Sequence, residues 1–559
     1  MSRTTVATRR MLFCLPLPMK RFCRRLLVSA ALAALSCARR EAPAAPASVL
    51  VRHLVGDPLS LDPTVTGEES GLVVEELIFR PLIGIDAARR PVAALATSWT
   101  NSPDGLSYEF RLDPSATWED GKSVTSDDVR FTIERVHDPK VASVNWGWGF
   151  DDLVSIETPD PVTIRFRFSK PNAGRMIAFA LPIVSAAAFA HAPSAADAGR
   201  HPVGSGPYRF VSWETNQKIR LARRADAKDA KFDEVIFRVI PDNNVRYQAG
   251  IRGELDEFRL TRDQTRAAAA SPDFLARNRI VRVPQFIEVM LVWNCRIPLL
   301  SDSRVRRALS LAMPRADLAK NLYPPDGASL VSGPFPPGVP ENAPDVAPAK
   351  FDPAESARLL DAAGWKAGAD GSRRRGGRKA SLEVLTVAGQ AVYGNIVEVM
   401  RQAYSKVGVD VVPRAFDWAA YTERADRGEF EVQLAGRLFQ PPFLDPFSYY
   451  HSSQFAPKGQ NSGFYSNREA DAVMESARRE LDPARRIELM RSVHRLLAAD
   501  PPGDFLWGAD QPWAFSKRID DVEISDFGLF HFLPGPLGWR PAGEKGGSTG
   551  RPASNTPLP

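Results

Sequence analysis

The chain has 559 residues, more than one ordinary domain needs, and 44% hydrophobic with 25% charged residues is the balance of a globular protein with sizeable cores. Its basic character is local. Residues 1–36 carry Arg3, Arg9, Arg10, Lys20, Arg21, Arg24 and Arg25 and no acidic residue, so the net charge of +6 becomes −1 for the remainder. A general affinity for polyanions is not implied, and no nucleic-acid partner is expected.

At the N-terminus KRFCRR precedes the apolar run LLVSAALAAL, then Ser36 and Cys37. A basic start, a short apolar core and small residues before a cut site form a secretory signal over 1–37. Ten apolar residues are too few to span a bilayer, which needs roughly 20. The run ALSC resembles a bacterial lipoprotein cleavage box, with Cys37 the residue to be lipidated. Ala34 stands where that box usually has leucine, and a plain signal peptide cut nearby is the alternative. Met1 and Met19 are both candidate starts. Cys14 and Cys23 leave with the signal and Cys37 would carry lipid. That leaves Cys295 alone, so no intramolecular disulfide is expected.

Residues 38–47, ARREAPAAPA, read as a flexible tether, and 541–559 as a disordered tail. Between them strands and helices mix. LSYEFRL at 106–112 alternates as a strand between Asp-Gly turns at 104–105 and 120–121. Thr125 with Asp128 three residues on opens a helix striped by Val129, Ile133 and Val136. Asp302 caps another with Val305, Ala308 and Leu309 on one face. Asp352-Pro353-Ala354-Glu355 is a full start signal, with Glu355 expected to close a capping box, and Gly364 ends that helix. In GEFEVQLAGRLFQPPFLDPF at 428–447, Phe430, Val432 and Leu434 alternate with polar residues, predicting a half-buried strand that runs into Gly436 and Arg437.

Motifs for catalysis are missing. The seven histidines show no metal spacing, and neither HExxH, GxSxG nor GxxxxGK[ST] occurs. VGSGPY at 203–208 has phosphate-loop glycines but precedes the strand RFVSW rather than a helix, so it reads as a structural turn. SRRRGGRK at 372–379, between a helix and the strand SLEVLTV, reads as a solvated hairpin tip. No enzyme, cofactor or metal is expected.

Several segments together resemble the solute-binding proteins of bacterial ABC importers, the large family that includes oligopeptide-, dipeptide- and nickel-binding proteins. They are LSLDP at 59–63, VVEELIFRPL at 73–82, PVGSGPYRFVSW at 202–213, GELDEF at 253–258 and SDSRVRRALSLAM at 301–313, followed by FDPAESARLLDAAGW at 351–365 and GFYSNREADAVMESA at 463–477. Most specific is 92–136, with a tryptophan, two Asp-Gly turns, an alternating strand and a capped helix in order. The resemblance implies an α/β two-lobed periplasmic binding protein fold of the larger, three-domain type, with mixed sheets and a hinge. Its expected division is 48–85, 200–285 and 500–540 as a discontinuous domain I, 86–199 as domain II and 286–499 as domain III. It also implies a ligand enclosed by lobe closure and delivered to a membrane permease, outside the cytoplasmic membrane.

In peptide-binding members, the segment matching 434–446 has a tryptophan after the glycine and an aspartate that takes the peptide ammonium. Asp445-Pro446 matches the family's Asp-Pro pair. Counting back, Pro442 stands at the aspartate's position and Arg437 at the tryptophan's. No acidic residue lies from Leu434 to Leu444. A buried ammonium without its anion costs several kcal/mol, so free-amine peptides are expected to bind poorly, whereas Arg437 suits a carboxylate, phosphate or sugar oxygens, with solvent exposure or a pair with a nearby glutamate as the alternative. Trp418, in FDWAAY, matches a cleft-lining aromatic position, a core tryptophan being the alternative. Gly436 and Gly67 are candidate backbone contacts, or ordinary turn glycines. The expected function is the substrate-binding receptor of an ABC importer for a peptide-like, anionic or hydroxyl-rich solute. It would act as a monomer, meet the permease subunits, and touch the membrane only through its lipid. A sensory or adaptor lipoprotein of the same fold is the alternative.

Overall fold

A computed structural model of the chain describes residues 48–543, apart from 139–140, 142, 144–145, 193, 285–286, 324–326 and 439–443. At 287–288, 391, 437–438 and 509 the backbone alone is described. Cys37, the tether, Pro442 and everything beyond 543 lie outside the described residues. Chain described here extends past 540, where Pro541 pairs with Ile519.

Strand β1 (Val49–Leu54) is buried along nearly its whole length, as expected of a strand covered on both faces. It lies between two parallel neighbours, β2 (Glu234–Val239) and β3 (Glu257–Arg259). Antiparallel to β3 runs β10 (Gln511–Ser516), which also pairs with β4 (Asn278–Val283). Strands Lys218–Arg223 and Tyr208–Glu214 complete a seven-stranded sheet beyond β2. A second sheet has six strands. β6 (Ser381–Val387) is parallel to β7 (Asp410–Phe416) and β8 (Val432–Leu438), and β8 is antiparallel to β5 (Ile287–Trp293). β5 then pairs with β9 (Gly503–Ala509), and Ala328–Leu330 closes the edge. A separate four-stranded antiparallel sheet occupies 96–168. Phe179 packs there 4.6 Å from Phe110 and 4.9 Å from Phe166, ring to ring, at the offset or tilted geometry aromatic quadrupoles favour.

The two large sheets are joined twice. Val283 ends β4 and Ile287 begins β5; Ala509 ends β9 and Gln511 begins β10. Both crossings leave the first sheet at the edge where β1, β2 and β3 end. Both enter the second at the edge where β6, β7 and β8 end, because Ile287 lies opposite Leu438. The carboxyl ends of six parallel strands therefore meet at one seam. Five helices follow five of these strands and start there: α1 (Glu69–Ile78), α2 (Asn243–Ile251), α3 (Arg262–Ala269), α4 (Ala391–Ser405) and α5 (Trp418–Arg427).

The start signals act as residue chemistry predicts. The Thr125 N–H donates to Asp128 Oδ2 (2.9 Å) ahead of the helix Ser126–His137. Asp302 accepts from the Arg304 N–H (2.9 Å) ahead of Ser303–Ala312. Asp352 caps Pro353–Ala362, but Glu355 does not close a capping box. Its carboxylate takes the Arg358 guanidinium at 2.6 Å instead, the stronger charged partner one turn away. The interval 500–540 also divides between sheets. β9 belongs to the second and β10 to the first, because β9 is the return strand of one crossing.

VGSGPY is a packing turn. The Gly206 N–H donates to the Ile78 carbonyl at 2.6 Å, so the loop receives the carbonyl end of α1 rather than an anion. A Cβ at Gly206 would stand 2.5 Å from that oxygen. Gly206→Ala should lower stability by about 1–3 kcal/mol, as overpacking does, read as a fall in the urea midpoint at unchanged slope.

Candidate functional site

In open α/β sheets, ligands bind outside the carboxyl ends of parallel strands, and here six such ends share the seam. On the first side, Arg259 ends β3. Its guanidinium pairs with Glu69, the first residue of α1, and lies 4.9 Å above the Trp513 ring. Arg246, on α2, is buried and donates to the Arg259 carbonyl at 3.3 Å. His53 Nδ1–H donates to the Glu257 carbonyl at 3.2 Å. Burial first, then Arg246 and Arg259, hold its pKa well below the usual imidazole range, so it is neutral at pH 7. Behind it, Arg52 meets Glu257 at 3.2 Å and Glu76 at 3.7 Å, caged by Phe237, Phe530 and Trp539 at about 5 Å. Burial raises the Glu257 carboxyl to about 6 and that of Glu76 to about 7.

On the second side, Trp418 opens α5 just beyond the end of β7 and is 64% exposed. It is not a core residue. Its ring stacks at 5.7 Å on Tyr421, whose hydroxyl donates to the Leu434 carbonyl (2.7 Å) and accepts from Gln433 (3.0 Å). An exposed indole on an anchored phenol is a ready apolar platform. β8 starts at Val432, later than the alternation suggested, and includes both Gly436 and Arg437. Gly436 is exposed and opposite Val289; Arg437 is opposite Glu288, one residue from the strand's end at the seam. The Arg437 side chain and Pro442 lie outside the described residues. Gly67 is exposed, two residues before α1. The four ligand-binding candidates therefore come to the seam from both sheets.

Asp445 is committed elsewhere. Oδ1 accepts the Phe447 N–H (3.0 Å) and Oδ2 the Arg478 Nε (2.6 Å). Arg259, Glu69 and His53 were not singled out from the sequence. The signal for Arg259 was present: like Arg437, it is a cation closing an apolar strand, here just after GELDEF. Cys295 is half-buried, its thiol pushed up to about 11 by burial. Among the described residues, no group of three or more His, Cys, Asp or Glu is placed to hold a metal.

Two sheet-centred lobes, joined by a double crossing and opposing their strand ends, define a two-lobed periplasmic binding protein. The family model for bacterial extracellular solute-binding proteins, family 5 (middle), matches residues 90–459. The oligopeptide-binding protein AppA of Bacillus subtilis is 25% identical over 486 residues, 84% of this chain and 88% of its own. Among solved structures, NikZ from Campylobacter jejuni in complex with Ni(L-His) superposes with a TM-score of 0.75 at 22% identity, covering 89% of this chain and all of that one. AgaA of A. tumefaciens R10 in complex with agropinic acid gives 0.70 at 23%, covering 89% and 99%. The chain belongs to family 5 of the bacterial extracellular solute-binding proteins. It is a solute receptor, not an enzyme.

Because Trp418 is exposed, Trp418→Ala should change the unfolding free energy by less than about 0.5 kcal/mol, while removing the stacking surface offered to a solute. Chemical denaturation checks the first part. Between its ordinary value of 4.5 and about 7, Glu76 binds a proton in the folded but not the unfolded chain. Its contribution is full below 4.5 and lost as pH rises towards 7. Urea unfolding of Glu76→Gln beside the parent should show the difference moving in the variant's favour by about 2–3 kcal/mol over that window.

Proposed function

We propose that this receptor serves an ABC importer, holding an anionic or hydroxyl-rich solute at the seam with Arg437 and the Trp418 platform before passing it to a permease. The observation that supports the ligand class is the engagement of Asp445 by Arg478, which commits the first carboxylate after the stretch 434–444 to a partner other than a peptide ammonium. A guanidinium at the end of β8 is a fork for carboxylate, phosphate or vicinal hydroxyls. Gly436 and Gly67 would offer backbone groups from the two sides. Binding to both lobes at once favours the closed arrangement by the differential contact it makes there. Relatives in the family accommodate such variety: AgaA was solved with agropinic acid, NikZ with Ni(L-His). The name of AppA favours a second reading, a peptide ligand bound without a carboxylate for its amine. A signalling role is not favoured, since several relatives are named as ABC transporter peptide-binding proteins.

The protein works outside the cytoplasm, as its family does. In this reading residues 1–37 are its export signal and Cys37 carries the lipid. It acts as a monomer, tethered so that its concentration beside the permease is raised.

The test is a thermal-shift screen on the chain from residue 38, after unfolding and refolding to strip carried solute. Di- and tripeptides, their N-acetylated forms, acidic sugars, neutral oligosaccharides and metal chelates are compared. Acidic or hydroxyl-rich solutes should raise the melting temperature, and Arg437→Ala should abolish the rise. A rise with free-amine peptides that N-acetylation removes would overturn the ligand class.

A further inference from the structure

The segment 364–380 carries six cations and a single carboxylate, in a chain whose charges beyond its leader sum to nearly zero. It folds as a small three-stranded sheet, Lys366–Ala367, Arg373–Arg375 and Arg378–Lys379. Its register sets Lys366 opposite Arg374 and Arg374 opposite Lys379, a row of three cations across three strands. Arg375 stands opposite Arg378 at the tip. Like charges directly opposed across strands are destabilising, so this sheet concentrates positive charge at a cost to itself. Arg373 is structural: it is buried, and meets Asp361 and the Trp365 and Val407 carbonyls at 2.6–2.8 Å. Arg374 has a loose partner in Asp370 at 3.4 Å, and Lys379 pairs with Asp410. Lys366, Arg375 and Arg378 are exposed and make no ion pair among the described residues. Nothing lies within 4 Å of where a Cβ would stand at Gly376 or Gly377, while the Arg375 side chain lies back beside Gly364, its Nε 3.6 Å from where a Cβ there would stand.

Lys379 and Asp410 place this sheet at the start of β7, the end of the second lobe away from the seam. Contact there leaves the solute site clear. We propose that the hairpin 373–379, with Lys366, docks this lobe on an anionic phospholipid surface. The partner follows from charge and place. The protein works outside the cytoplasm, where the headgroup phosphates of the membrane holding its permease form an extended anionic plane. A row of exposed cations across three strands is complementary to such a plane. The lipid proposed at Cys37 is then not the sole membrane contact; a basic patch beside an acyl anchor supplies the second signal that stable attachment uses.

The experiment is co-sedimentation of the non-lipidated chain from residue 38, which contains every described element, with sucrose-loaded vesicles. Equal phosphatidylglycerol and phosphatidylcholine is compared with phosphatidylcholine alone. The protein should pellet with the anionic vesicles only, and release at high salt. Each cation near such a surface contributes about fivefold in partitioning, so Arg375→Ser with Arg378→Ser should weaken it about 25-fold. Arg375→Lys with Arg378→Lys should retain it. Neither arginine makes an ion pair here, so the melting temperature should not move, which separates lost contact from lost fold. Equal pelleting with neutral vesicles, or undiminished pelleting of the serine variant, overturns the proposal. So does a serine variant that loses binding to detergent-solubilised permease but not to vesicles, which would make the partner a protein.

Discussion

Two short crossings between two sheets govern the rest of this molecule. At one, three residues separate Val283 from Ile287; at the other, only Asp510 stands between Ala509 and Gln511. Segments this short cannot carry the chain from one end of a sheet to the other, so the sheets must present the crossing edges to each other. The strand directions then make those edges the carboxyl ends of β1, β2, β3, β6, β7 and β8. Helix starts, exposed loop glycines and strand-terminal arginines follow to the same place. The paired, antiparallel crossings also leave bending about the seam as the easy motion, which suits a receptor that encloses its solute.

Behind the seam the first lobe is stiffened by charge. Arg52, paired with Glu76 and Glu257, is caged by Phe237, Phe530 and Trp539, and His53 is neutral beside Arg246 and Arg259. Removing one member would strand a buried charge, so the arrangement holds as a unit. Across the seam the second lobe offers a different surface, an indole resting on a tyrosine whose hydroxyl is fixed at both ends. One wall is thus ionic and rigid, the other aromatic and exposed, and the solute's contribution is to join them.

Local chemistry was legible in the sequence wherever a few neighbouring residues suffice. Caps at Thr125, Asp302 and Asp352, the alternation before Leu112 and the hairpin between Arg375 and Arg378 all follow from propensity and side-chain reach. The exceptions show the limit of that reach. Glu355 had the spacing for a capping box but found Arg358, since both lie on the same helical face. The alternation places the strand from Phe430 into Gly436 and Arg437, yet pairing with β5 sets it at Val432–Leu438. The interval 500–540 is expected within one domain, yet β9 joins the second sheet and β10 the first, because nothing in residues 503–509 themselves says which partner they will meet.

The sequence alone determined the resemblance to solute receptors, the lack of catalytic motifs, the order of most elements, and the loss of the acidic residue before Asp445-Pro446. These rest on residue identity and on contacts within a helical turn or a hairpin. Only the tertiary structure decided that Trp418 is exposed rather than core, that Asp445 serves Arg478, that VGSGPY receives the end of α1, and that Arg259 shares an edge with Gly67. Each depends on how segments beyond the reach of one helical turn or hairpin pack, Asp445 and Arg478 being 33 residues apart, and such packing leaves no periodic trace in either segment.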